Sequence, residues 1–282
     1  MDGRCPLVVA EGTAISGGIA AVEAEHVTYR YGELVAVNDL TLSISQGEMF
    51  GLLGPNGAGK TTAIRLFNTL MPIQEGRIRV LGLDVTRHPM DVRYNLGYVP
   101  QQLSVEGALT GRQNVTWFAR LYGVPRHDRR ARVDEALETM GLIDVADRVV
   151  STYSGGMVRR LELAQALVNH PLVLILDEPT VGLDPVAREM VWERVVTMRA
   201  QIGMTVLLTT HYMEEADELC DRVGLMHQGR LQAVGTPGEL KRQHGPDATL
   251  EDVFRAYAGA ALSVNETEQE GLSNVRQSRS RR

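Results

Sequence analysis

The sequence predicts an α/β fold. Its core is a mostly parallel sheet built around one strand–loop–helix, with an antiparallel β subdomain ahead of it and an inserted α-helical subdomain. Three observations predict this. The glycine-rich loop Gly54-Pro55-Asn56-Gly57-Ala58-Gly59-Lys60-Thr61-Thr62 follows the apolar run Met49–Leu53 and leads into helical Ala63–Phe67. The run Leu172–Leu176 is fully apolar, as a central parallel strand is, and ends in the carboxylates Asp177 and Glu178. Before the loop, His26–Tyr31 is β-rich and Thr41–Ser45 alternates strictly, whereas Thr110–Gly141 carries helical periodicity.

The 282 residues suffice for one large α/β domain with a small appendage. Aromatic residues make up only 5 %, which leaves few stacking platforms for single-stranded nucleic acid. A net charge of −6 and a pI near 5.7 argue in the same direction, so no nucleic-acid partner is expected. The cysteines, Cys5 and Cys220, form no CxxC or Cys/His cluster, so neither a disulfide framework nor a zinc site is indicated, and a reducing cytosolic setting fits. No apolar run reaches the roughly 18–20 residues a membrane span needs. The first residues lack a charged segment followed by a compact apolar block, so no secretory leader is expected.

Residues 1–23 read as a disordered extension, and the main domain as 24–240. Gly32-Glu33 is a turn after the first β segment. Tyr31, at that strand's end, suits either stacking on an adenine ring or ordinary packing. Gly76–Val80 and Asn95–Val99 are further strands, the second running into Gln101. The helical subdomain spans about 102–165. One face carries Val115, Phe118, Ala119 and Tyr122, another Val133, Ala136, Leu137 and Met140. The basic run Arg126–Arg132 reads as a solvated helix face, with an anionic partner surface as the lesser option. Ser154 is a good N-cap for the helix bearing Leu161, Ala164, Leu167 and Val168, and Gly155 and Gly156 leave that helix N-terminus open to an anion.

Pro179–Pro185 is a turn, followed by a helix over 187–200. The strand Thr205–Thr209 delivers His211 to the sheet's carboxyl edge, where a γ-phosphate contact is expected. A helix over Met213–Leu219, a strand over Arg222–Met226 and a strand over Leu231–Val234 complete the core. Residues 241–261 form a helical appendage. Residues 262–282, with Arg276, Arg279, Arg281 and Arg282, read as a disordered tail.

The glycine loop fits G-x-x-x-x-G-K-[ST], a P-loop. Gly54, Gly57 and Gly59 let the backbone turn its N–H groups inward, making an anion nest at a helix N-terminus. Lys60 is expected on the β/γ-phosphates and the Thr61 hydroxyl on Mg²⁺. Adjacent carboxylates at the end of a buried strand are costly unless chemistry employs them. With a P-loop upstream, Asp177 is expected to bind Mg²⁺ through water and Glu178 to polarise the attacking water.

The series aromatic, P-loop, glutamine loop, Ser-Gly-Gly cap, Asp-Glu strand, Gly-Leu-Asp turn and His resembles the ATP-binding cassette of ABC transporters over about residues 24–240. The resemblance implies a P-loop NTPase core that binds ATP and Mg²⁺ and hydrolyses ATP. Tyr31 looks like the adenine-stacking aromatic and Gly54–Thr62 the Walker A loop. Gln101 looks like the Q-loop glutamine that contacts Mg²⁺, and Tyr153–Met157 the signature. Leu172–Asp177 is similar to Walker B, Glu178 to the catalytic carboxylate, Asp184 to the D-loop aspartate and His211 to the switch histidine. Where the family usually carries Leu-Ser-Gly-Gly-Gln, this chain has Tyr-Ser-Gly-Gly-Met.

Asn56, the Ser-Gly-Gly-Met signature and the ending Thr249–Phe254 are similar to the drug-resistance and nodulation branch of ABC-2 exporters. That branch implies an ATP-dependent head-to-tail homodimer on separate permease subunits at the cytoplasmic side of the membrane. The permease would dock on the helical region 102–152, near Gln101. An importer or a lipid or polysaccharide exporter uses the same parts. A soluble cassette acting on DNA or ribosomes is disfavoured, because one cassette is present and no coiled coil fits between Gln101 and Ser154.

Overall fold

The computed structural model describes residues 19–257. Cys5 and the Arg276–Arg282 cluster lie outside the described residues. The first elements among the described residues are β1 (Val22–Tyr31) and β2 (Leu34–Ile44), a hairpin. The central strand β3 (Met49–Leu53) feeds α1 (Lys60–Phe67), then β4 (Glu75–Val80), β5 (Leu83–Asp84), α2 (Pro89–Tyr94) and β6 (Leu96–Val99). The helices α3 (Gly111–Leu121), α4 (Arg129–Thr139) and α5 (Gly155–Leu167) come next. The core resumes with β7 (Val173–Asp177), α6 (Pro185–Ile202), β8 (Thr205–Thr210), α7 (Met213–Leu219), β9 (Arg222–His227), β10 (Arg230–Gly235) and α8 (Pro237–Arg242). A last helix runs from 250 to the end of the described residues at 257.

Two sheets result. The antiparallel sheet has the order β2-β1-β4-β5, and the larger one β10-β9-β3-β8-β7-β6, parallel except for β10. The expected α/β class with an antiparallel subdomain is therefore present. Strand alternation divides the interior in two. Phe50, Leu52, Val173, Ile175 and Leu207 point to the core shared with α1 and the antiparallel sheet. Met49, Leu53, Leu174, Leu176, Val206 and Leu208 point to the core under α3, α5 and α6. Each such buried side chain contributes about 1.5–3 kcal/mol of transfer free energy, so covering both faces is what holds the parallel strands.

The first strand starts inside the segment expected to be a free extension. Val22 pairs with Ile44 and with Val80, and Ala21, Val22 and Ala24 are buried. Small residues alternating with Glu23 and Glu25 make a strand whose acidic face is wet, and that pattern reads as a tail by composition. The helical stretch also breaks in two. Gly123 takes a left-handed φ of 69° and Pro125 follows, so α3 stops and α4 restarts at Arg129. The basic run is thus not one solvated helix face. Arg126 precedes α4, and the buried Nε of Arg129 and Nη1 of Arg132 face inward.

Candidate functional site

The parallel register brings four strand ends to one edge. Leu53 lies beside Thr210, Asp177 beside Thr209, and Leu176 beside Val99. The segments that follow these ends, bearing the P-loop, Glu178, His211 and Gln101, therefore issue from one side of the sheet, as ligand sites of open α/β sheets do.

The P-loop conformation is fixed by its glycines. Gly59 has φ 102°, and a Cβ there would lie 2.2 Å from the carbonyl oxygen of Ala36. Gly54 is equally confined, with a Cβ position 2.2 Å from the Met226 carbonyl oxygen. Gly59 caps α1 without any side-chain hydrogen bond, which leaves the first-turn N–H groups of α1 for another acceptor. Lys60 is 5 % exposed, and its Nζ donates to the carbonyls of Gly54 at 2.6 Å and Pro55 at 3.2 Å. The loop lines a cleft of about 430 Å³ together with Tyr31, Gln101 and Glu178. Tyr31 stands at its mouth, 45 % exposed, with its hydroxyl on the sulfur of Met71 and its ring edge-on to Tyr29.

At the edge of β7, Asp177 is 1 % exposed, and its Oδ1 accepts from the Thr209 hydroxyl at 2.7 Å and the Thr61 hydroxyl at 3.4 Å. Glu178 lies across from Lys60, Oε1 to Nζ 3.4 Å, and its Oε2 faces Nδ1 of His211 at 2.6 Å. Both Lys60 and Glu178 are largely buried, so this is a charge pair at the floor of a polar cleft. His211 is thus placed on the carboxylate by Nδ1, which leaves Nε2 as the ring nitrogen that can meet a phosphate. Burial, reinforced by the charge of Asp177, pushes the phenol of Tyr98 on neighbouring β6 up to about 12.

Asp177 and Thr61 offer only oxygen donors, which suits a hard divalent cation completed by phosphate oxygens. Among the described residues no cluster of three His, Cys, Asp or Glu side chains could hold a metal unaided.

A second pocket, of about 400 Å³, lies between the N-termini of α5 and α6. Ser154 caps α5, its hydroxyl accepting from the N–H of Met157 at 3.3 Å, and Asp184 caps α6 by accepting from Ala187 at 3.0 Å. Ser154, Gly155, Gly156 and Asp184 all line this pocket, and so does Met157. The Tyr153 side chain turns away and donates to the carbonyl of Val145 at 2.7 Å. The two pockets share no lining residue. The structure therefore brings Tyr31, the P-loop, Gln101 and Glu178 into one cleft and sets Ser154–Gly156 with Asp184 in another.

Sequence reasoning missed the polar groups behind these pockets. In α5, Arg159 and Glu162 are 4 % and 1 % exposed, because the helix is buried almost all round rather than on one stripe. The readable signal is a pair of opposite charges three residues apart in a helix that is mostly apolar from Leu161 to Leu167. Behind His211, Glu215 accepts from Thr180 at 2.9 Å and meets Arg188 of α6 at 3.3 Å.

Comparison with known proteins agrees with this geometry. The family model described as ABC transporter matches residues 37–181. The chain is 49 % identical over 227 residues to the daunorubicin resistance ATP-binding protein DrrA2 of Streptomyces coeruleorubidus, covering 80 % of this chain and 70 % of that one. It is 43 % identical over 250 residues to the Nod factor export ATP-binding protein I of Burkholderia orbicola, covering 85 % and 82 %. Among solved structures, an ATP-binding cassette dimer in a post-hydrolysis state, bound to ADP and Pi, matches with a TM-score of 0.68. Its sequence identity is 26 %, over 76 % of this chain and 98 % of that one.

Proposed function

Because the chain belongs to the ABC transporter family and is an ATP-binding, ATP-hydrolysing protein, we propose that it drives an exporter of drugs or other amphipathic compounds as a head-to-tail homodimer. One observation supports the dimer: two helix N-termini, at Lys60 and at Ser154, lie in separate pockets of one chain. A second copy, reversed, would set Ser154–Gly156 against the nucleotide held by Lys60. The relative solved as an ADP- and Pi-bound dimer supports this reading.

In that arrangement Gly54, Pro55, Asn56, Gly57, Ala58, Gly59, Lys60, Thr61 and Thr62 hold the phosphates, with Tyr31 against the base. The N-terminus of α5 and Asp184 belong to the opposing copy. Thr61, Asp177 and Gln101 would hold Mg²⁺, which supplies charge neutralisation on the β- and γ-phosphate oxygens. Glu178 takes a proton from the attacking water, and the Nδ1 contact of His211 orients that carboxylate. Lys60 spreads the charge that develops on the γ-phosphoryl group.

ATP binding to the paired form only would stabilise that form by mass action, and hydrolysis would release it. The described residues contain no helix long and apolar enough to cross a membrane. Separate permease subunits would supply the span and hold the ATPase at the cytoplasmic face. The exposed side chains Leu103, Trp117 and Leu121, beside Gln101 and on α3, would form part of the docking surface.

Two variants of the full chain test the shared site. Lys60→Ala and Gly155→Asp each spoil one half. Mixed together, they rebuild one intact site per dimer, so ATPase activity returns; no recovery on mixing would reject the shared site. Co-purification of a polytopic protein from detergent extract supports the exporter, whereas ribosomes or DNA would support a soluble cassette.

A further inference from the structure

We infer that Arg159 and Glu162 are a buried positioning pair through which α5 holds the loop bearing Gln101 and the turn bearing Glu178 as one unit. The inference rests on the reading of Gln101 and Glu178 as hydrolytic residues.

The guanidinium of Arg159 gathers acceptors from two loops. Its Nε donates to the carbonyl of Pro179 at 2.6 Å, and its Nη1 to the carbonyl of Pro100 and to Oε2 of Glu162, both at 2.8 Å. Its Nη2 lies 3.4 Å from the carbonyl oxygen of Asp177 and 3.3 Å from that of Glu178. Three consecutive carbonyls around Glu178 therefore converge on one cation. Glu178 itself has φ 52°, the left-handed region that a residue with a Cβ enters only when its surroundings require it. Charge-assisted bonds from a rigid planar fork meet that requirement.

Glu162 completes the hold. Its Oε1 accepts from the N–H of Ser104 at 2.6 Å and from the Ser104 hydroxyl at 3.1 Å. The glutamine loop is thus pinned at Pro100 by Arg159 and at Ser104 by Glu162, and Gln101, Gln102 and Leu103 stand exposed between the pins. The same helix begins at the Ser154 pocket. A displacement of α5 toward a ligand at its N-terminus carries both pinned segments with it, so the carboxylate and the glutamine move together relative to the P-loop. A lysine cannot replace this fork, because its ammonium is a point charge on a flexible stem.

Folding and positioning are separated by two full-length variants. Arg159→Lys keeps the charge and loses the fork. The double change Arg159→Met with Glu162→Leu removes both charges, and so avoids a lone buried ion. Each is compared with the parent for thermal midpoint, ADP affinity, ATPase kcat and KM, and amide exchange at Ser104. The expected result is a folded protein with ADP affinity and KM within about threefold of the parent and kcat lower by about 10- to 100-fold, the range that small misplacements of reacting groups produce. Exchange at Ser104 is faster in the double variant.

A folded variant of either kind that keeps kcat within about threefold of the parent overturns the inference. If both variants fail to fold, the pair is a folding element and the inference also falls. Glu178→Gln in the parent background separates the two readings. Undiminished turnover there rejects the role of Glu178 itself, whereas a dead Glu178→Gln beside fully active Arg159 variants rejects only the positioning pair.

Discussion

Glu178→Gln is nearly isosteric and removes one charge from a residue held between Lys60 at 3.4 Å and His211 at 2.6 Å. If Glu178 is the proton acceptor, its loss lowers kcat by about 10²- to 10⁴-fold. That is about 2.7–5.4 kcal/mol at 1.36 kcal/mol per decade. Binding moves the other way. The carboxylate repels the γ-phosphate and also engages the Lys60 ammonium, and Gln relieves both. Unit charges about 4 Å apart interact by on the order of 4 kcal/mol at an effective dielectric of 20. Water in the open cleft screens this to about 1 kcal/mol, which tightens ATP binding roughly fivefold.

The folding cost is about 1 kcal/mol, because the amide oxygen of Gln still accepts one of the two donors. Single-turnover phosphate release, ATP titration and size-exclusion chromatography with ATP measure these quantities. The expected protein is inert, binds ATP more tightly and elutes as a dimer. A kcat within about fivefold of the parent refutes the proton-acceptor role, and weaker ATP binding refutes the charge argument.

Lys60→Ala removes the ammonium from the cleft and weakens nucleotide binding by about 1.5–3 kcal/mol, roughly 10- to 150-fold, read by calorimetric titration. Gly59→Ala combines a left-handed penalty of about 1–2 kcal/mol with a clash costing about 1–3 kcal/mol, because its Cβ would meet the Ala36 carbonyl oxygen at 2.2 Å. Gly57→Ala, with φ 82° and open space around its Cβ, has only the first penalty, and thermal melts should rank the two accordingly. Burial pushes the Cys220 thiol from 9.0 up to about 12. It therefore resists alkylation at pH 8 in the folded protein and reacts in denaturant, as mass spectrometry of the tryptic peptide shows. A raised thiol pKa gives stability that is intact below pH 9.0 and is lost as pH climbs toward 12, and Tyr98, raised from 10.0, acts in the same direction. Denaturant midpoints at pH 8 and pH 10.5 should show the fall.

The strand ends were legible because they are written locally. A short apolar run with polar residues at its close identifies both a parallel strand and its carboxyl edge, and the edge is where Asp177, Glu178 and His211 stand. Val22 was misread because a strand of small residues and acids has the composition of a tail. The stop after α3 was legible in Gly123 and Pro125 but was outweighed by apolar spacing on either side.

Arg159 and Glu162 were legible only as opposite charges three residues apart, and nothing in that spacing says they are buried. Periodicity assumes one wet face, and α5 has hardly any, so charges there read as surface when they are the interior of a polar knot. The contact of His211 with Glu178 was equally hidden, since no spacing in the chain says which neighbour a ring nitrogen will choose.

The position of β3 has a consequence for how the chain is made. Among the described residues its sheet partners are β8 and β9, and the loop it launches is braced by Ala36, Met226 and the Gly229 N–H bonded to the Ala58 carbonyl. On a ribosome, β3 and the Lys60 loop it launches emerge before β8 and β9, and β3 stays unpaired until Thr205–Thr210 and Arg222–His227 have followed it. The nascent chain therefore acquires its nucleotide grip only after β8 and β9 have been made, and the exposed apolar run Met49–Leu53 is what a chaperone would have to shield in the interval.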